Sequence, residues 1–240
     1  FSNETSSVCE PASATCSAFK KAGESFALQA RAACYYTGTF DKTTPGTPGT
    51  PNFRMSAIPM AVDPVSPTPG NPVSASGSVD FDATTSGNGE VTLQTSVSEV
   101  GVFKLTAAKT AMPYLISGSV VGSPSSNIGR FYPDHFALVS SDFTAGCGVF
   151  TYMGQDFSLS ASLEARKVGG GKTSNFTGVF ANGGVLPEMV NGSSGVSLDN
   201  ARLSVPGTAA WDAGVYDFVA TGLARLAAPD GPFENLDLGL

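Results

Sequence analysis

Short stretches in which apolar and small polar residues alternate, each closed by glycine or proline, recur along the chain and restrict it to β-structure. Residues 25–33, 77–81, 90–97, 101–107, 157–163, 194–198 and 214–220 carry this period or are rich in Val, Phe, Tyr and Thr. The 28 Gly and 16 Pro lie largely between such stretches, where turns need left-handed or fixed backbone angles. No segment sustains a capped apolar stripe at helical period, although residues 12–31 are Ala-rich enough for a short helix. The expected class is all-β.

At 240 residues the chain exceeds the usual size of one domain, so two cores are expected. Hydrophobic residues make up 41% and charged residues 14%, which supplies apolar material for those cores and excludes a disordered acidic chain. The net charge is −7, and the 13 Lys and Arg are scattered apart from Lys20 and Lys21. Nucleic acid and anionic membrane surfaces require clustered cations, so neither is an expected partner. No apolar run approaches the roughly 20 residues of a membrane-spanning helix. Without an initial Met or a signal peptide, the chain reads as a mature or excised fragment.

Cys9, Cys16, Cys34 and Cys147 contain no C-x-x-C pair, and a single histidine is present to join them at a metal. Disulfides are the better reading, which places the chain in the periplasm or outside the cell. Three pairings are open; the reading leans to Cys9 with Cys16 and Cys34 with Cys147. Buried free thiols are the alternative.

Residues 41–73 hold eight of the sixteen prolines. Proline lacks the ladder donor, so this stretch is expected to form a long loop or at most an edge strand within the first domain. An internal repeat points the same way. CSAFKKAGESFAL (16–28) and CGVFTYMGQDFSL (147–159) align without a gap, and each is followed by an Asn-Phe pair, Asn52-Phe53 and Asn175-Phe176. EVGVFKLTA (99–107) matches DAGVYDFVA (212–220) in the same order. The expectation is two tandem immunoglobulin-like β-sandwiches, residues 1–127 and 128–240.

Few residues suggest chemistry. GGGKTS (169–174) imitates a phosphate-binding loop but has Arg166 where the first glycine is required, and is read as a hairpin or flexible loop. Asp134 and His135 are adjacent, and neighbours in an extended strand face opposite ways, so a structural pair is preferred to a hydrolase dyad. Asp80, Asp82, Asn88 and Glu90 offer oxygen ligands for calcium, or simply a solvated acidic face. Tyr35, Tyr36 and Trp211 are candidate ligand-facing aromatics, with core packing the plainer account of Trp211. No catalytic, metal or cofactor residue is expected.

The string IGRFYPDHF (128–136) resembles the G-R-F-x-P-D-H-F hallmark of the domain at the C-terminal end of the MSHA pilus biogenesis protein MshQ family. AGESFAL (22–28), TPNF (50–53), SEVG (98–101), FTYMGQDF (150–157) and GPFENLDLG (231–239) agree in order. The resemblance implies a secreted envelope or type IV pilus role in Gram-negative bacteria, with other pilus or surface subunits as partners and no catalytic residues. Within the hallmark, Arg130 is expected to pair with Asp134, Pro133 to stop helix formation, and Phe131 and Phe136 to seal a join, so that Arg130, Phe131, Pro133, Asp134, His135 and Phe136 form an interdomain clamp. The expected function is a non-enzymatic structural and adhesive module at the cell surface; a carbohydrate-binding module for surface glycans is the alternative.

Overall fold

Among the residues it describes, this computed structural model contains sixteen β-strands and two single-turn 3-10 helices, Gly178–Ala181 and Asn200–Arg202. It describes residues 7–33, 49–82, 89–116, 118–207, 209–228, 233 and 235–239. The all-β class is as expected, and no α-helix occurs among the described residues; the Ala-rich segment 12–31 forms turns and two strands. The chain divides into two compact units, Phe1–His135 with Arg166–Phe176, and Phe136–Ala165 with Thr177–Leu240.

The first unit contains β1 (Lys20–Lys21), β2 (Phe26–Arg31), β3 (Met55–Ser66), β4 (Ser78–Phe81), β5 (Glu90–Thr95), β6 (Gly101–Ala107), β7 (Met112–Tyr114), β8 (Gly118–Val120) and β9 (Ile128–Tyr132). One sheet runs β1-β9-β6-β3-β4, while β2 pairs with β5 and β7 with β8. Alternation on β2 buries Phe26 and Leu28. These meet Phe103 and Leu105 of β6 and Ile128 and Phe131 of β9 in one apolar cluster, which makes this unit a sandwich. Strand β6 lies inside the sheet and is buried almost throughout, as the near-continuous apolar run GVFKLTA requires. The Phe131 ring sits 5.6 Å from Phe19, 5.7 Å from Phe26 and 5.8 Å from Phe103. Burial of each such side chain contributes about 1.5–3 kcal/mol.

Two expectations are corrected here. Strand β9 was assigned to the second domain, yet it pairs with β1 and β6 inside the first sheet. The proline-rich stretch was expected to supply at most an edge strand, yet β3 lies between β4 and β6. The register explains how proline is accommodated. Residues Met55, Ile58 and Pro59 pair with β4, whereas Met60 to Ser66 pair with β6, and irregularities interrupt both ladders. Each half of β3 therefore has one neighbour, so Pro59 and Pro64, which have no N–H to donate, leave no second ladder short of a donor.

The second unit contains β10 (His135–Thr144), β11 (Asp156–Arg166), β12 (Glu188–Asn191), β13 (Val196–Ser197), β14 (Leu203–Ser204), β15 (Val215–Leu223) and β16 (Leu236–Gly239). One sheet runs β10-β11-β15-β14 and another β13-β12-β16. The register pairs Leu159 with Ala220, Ala161 with Phe218 and Leu163 with Tyr216, so one face is apolar while Ser158, Ser160 and Ser162 face the other way.

The repeated strings do not occupy equivalent places. FKLTA lies in β6, whose neighbours are β3 and β9, whereas YDFVA lies in β15, beside β11 and β14. Asn175-Phe176 belongs to the first unit together with Asn52-Phe53. The strings share a strand period and turn chemistry rather than a topology.

Candidate functional site

The string Ile128–Phe136 occupies β9, a bend and the start of β10. Gly129 has φ +143°, and a Cβ there would meet the Gly101 carbonyl oxygen at 2.7 Å, so two strands cross where only glycine fits. Phe131 is fully buried in the first unit. The expected Arg130–Asp134 pair does not form: the Arg130 Nε donates to the Cys16 carbonyl at 3.0 Å. Asp134 instead accepts from the Lys21 ammonium at 2.8 Å. The parallel alignment of Lys21 with Tyr132 is what brings that ammonium to the bend.

Its second carboxylate oxygen lies 2.8 Å from His135 Nδ1. The chain bends at Asp134, so the alternation expected to separate these neighbours does not apply. Lys21 and then His135 hold the Asp134 carboxyl below its usual value of 3.8, and Asp134 raises the Lys21 ammonium above 10.5. The contribution of Asp134 to stability is therefore complete above pH 3.8 and is lost as pH falls through its depressed value. Asp134→Asn is expected to flatten the acid limb of a plot of urea midpoint against pH slightly, with an equally small drop in neutral stability, because the pair is solvent-exposed. Phe136 falls in the second unit, where its ring lies 4.9 Å from Trp211, which in turn lies 5.3 Å from Tyr216. Trp211 is only 8% exposed, so it serves as core packing between two rings. Tyr35 and Tyr36 lie outside the described residues.

Cys9 and Cys16 form a disulfide across a sequence separation of 7. Cys147 is an exposed free thiol, and Cys34, its expected partner, lies outside the described residues. Replacing Cys9 and Cys16 by serine is expected to cost about 2 kcal/mol, the scale for opening a short loop, seen as a lower urea midpoint.

A buried polar cluster in the first unit was not foreseen. Glu99 is 7% exposed, yet its carboxyl oxygens accept backbone N–H groups from Ser174 at 3.1 Å, Asn175 at 3.1 Å and Val100 at 3.3 Å. The Asn175 Oδ1 accepts from the Asn71 backbone at 2.6 Å and its side chain at 3.2 Å. These bonds fasten residues 166–176 to the first unit. The GGGKTS string is part of that return: Arg166 bridges Lys172 around a tight hairpin, with Gly169 and Gly170 at positive φ. SEVG and the Asn-Phe pair were visible as strings, but their meeting spans a separation of 76 residues.

The acidic residues considered for calcium are engaged elsewhere. Asp80 accepts from the Ala57 backbone and from Ser78, and Glu90 pairs with Arg31 at 3.5 Å; Asn88 lies outside the described residues. Among the described residues no group of three or more His, Cys, Asp or Glu is placed to hold a metal. Nor is any helix among them long and apolar enough to cross a membrane.

A family model described as DUF6701, second domain, matches residues 1–95, and one described as DUF6701, third domain, matches residues 99–240. No curated protein matches the chain, and no solved structure does. Residues 96–98, between β5 and β6 in the first unit, separate the two matches. The third-domain model alone spans more than half of the chain, and on that ground the chain belongs to the DUF6701 family, of which it carries the second and third domains.

Proposed function

We propose that this chain is a non-enzymatic structural and adhesive module of an exported bacterial surface or type IV pilus-associated protein. The observation that carries the reading is the Cys9–Cys16 disulfide, a bond that persists in the periplasm or outside the cell. The likeness of Ile128–Phe136 to the MshQ hallmark supports a pilus or envelope setting. Tandem β-units with cross-linked or hydrogen-bonded loops suit a part that must hold its shape under load and present surfaces to other subunits.

The alternative, a carbohydrate-binding module, draws on aromatic faces. Trp211 is enclosed by Phe136 and Tyr216, which leaves little ring surface for a sugar and favours the structural reading.

Immunogold electron microscopy of intact producing cells, set beside a deletion strain, tests the proposal. Gold on filaments or their tips is the expected result. Gold confined to the envelope, with filaments lost on deletion, would mark an assembly factor and overturn the adhesive reading.

A further inference from the structure

The second unit holds a half-open cavity of about 780 Å3. Leu159 of β11, Leu203 of β14 and Leu223 of β15 line it from one sheet, and Met189 of β12 and Leu238 of β16 from the other. It therefore lies between the two sheets, where a sandwich is ordinarily filled by side chains with few voids larger than a water molecule. The volume falls within the roughly 300–1,000 Å3 of sites that take small ligands.

The mouth is built from the loop between β10 and β11. Cys147 and Phe150 exchange backbone hydrogen bonds of 3.0 and 3.2 Å, which closes a tight turn. That turn holds Val149 and Phe150 at the opening, Tyr152 follows it, and all three are exposed. The polar side chains in the lining are few. Thr151 and Gln155 use their side-chain oxygens on the backbone N–H groups of Gly146 and Tyr152. Among the described residues of the lining Arg225 is the single charged one, and no described carboxylate pairs with it.

Apolar walls exclude a hydrated or sugar-like ligand, since its polar groups would lose water without gaining partners. One cation beside an otherwise apolar opening complements one anionic end, and the planar guanidinium fork fits a carboxylate in bidentate fashion. We infer that the second unit binds a long-chain carboxylate of the fatty-acid class, its alkyl chain between the sheets and its carboxylate at Arg225. The inference goes beyond the structural role and does not depend on it.

Calorimetric titration of the full chain with palmitate, kept below its micelle concentration, tests this. Saturable binding of one palmitate per chain is expected, with Arg225→Ala weakening it about tenfold. Arg225 is exposed, so that variant is expected to keep the wild-type thermal midpoint. A cationic amphiphile of equal chain length is expected to bind at least tenfold more weakly than palmitate. Absence of saturable palmitate binding would overturn the inference, as would equal binding by Arg225→Ala or of the cationic amphiphile. Binding to phosphatidylglycerol vesicles without binding of monomeric palmitate would also overturn it, by making this face a membrane contact.

Discussion

A fragment ending at residue 95, the extent of the second-domain match, is expected to stay unfolded. It retains β1 to β5 but loses β6 and β9, the two strands that join β1 to β3 in the first sheet. Strand β1 then has no ladder partner, and residues Met60 to Ser66 of β3 lose theirs. The apolar cluster loses Phe103 and Phe131, both fully buried, and with them two of the four rings that pack together there. Truncating one such ring to alanine costs about 3–5 kcal/mol. Two losses of that size, with the missing strands, exceed what a domain holding about 5–15 kcal/mol can absorb. Fragment 1–95 is expected to give amide proton shifts crowded into the random-coil range and no cooperative urea transition, where the full chain gives both dispersion and a transition. A cooperative transition in the fragment would show that the family-model boundary is also a folding boundary and would overturn the unit described here.

That boundary marks the limit of what could be read along the chain. Alternation of apolar and polar residues is local, so the strands that carry it were legible: β6 falls at the anticipated residues, and β2, β4, β5, β11, β13 and β15 fall on or beside theirs, whereas β1, β3, β7, β8, β9, β10, β12, β14 and β16 were not anticipated as strands. Strand order depends on contacts between distant segments. The place of β9 between β1 and β6 joins segments more than a hundred residues apart, and nothing in IGRFY states which sheet will take it. Proline in 41–73 was read as a bar to interior pairing because each proline lacks one donor; β3 meets that condition by changing neighbours halfway along. The Cys9–Cys16 pairing was one of three that the sequence left open, and the fold selects it by bringing the two Cα atoms to 5.8 Å. At the Asp134–His135 site the residue types were visible, but the bend that lets their side chains meet, and the parallel strand that delivers Lys21, belong to the fold.

Glu99 is the clearest case of a residue whose string was legible and whose role was not. Within the sequence it was an acid opening a Gly-Val-aromatic strand; in the first unit its carboxyl oxygens collect three backbone donors. Glu99→Ala strands those N–H groups in a buried setting, at roughly 1–3 kcal/mol for each donor left without a partner. A total loss of about 3–5 kcal/mol is expected on that scale, because water entering the vacated space offsets part of the largest sum. Glu99→Gln retains one acceptor oxygen and turns an amide donor toward the remaining N–H groups, so it is expected to recover less than half of the loss. Urea unfolding measures the total. Hydrogen exchange shows where it arises: the Ser174 and Asn175 amides, protected in the wild type, are expected to exchange near random-coil rates in Glu99→Ala, well before the β6 amides do. Release of 166–176 ahead of the sheet would identify the carboxyl as the fastening of that segment. An unchanged midpoint with both amides still protected would mean that Asn71 and the hairpin hold the segment without it, and the role assigned to Glu99 would be wrong.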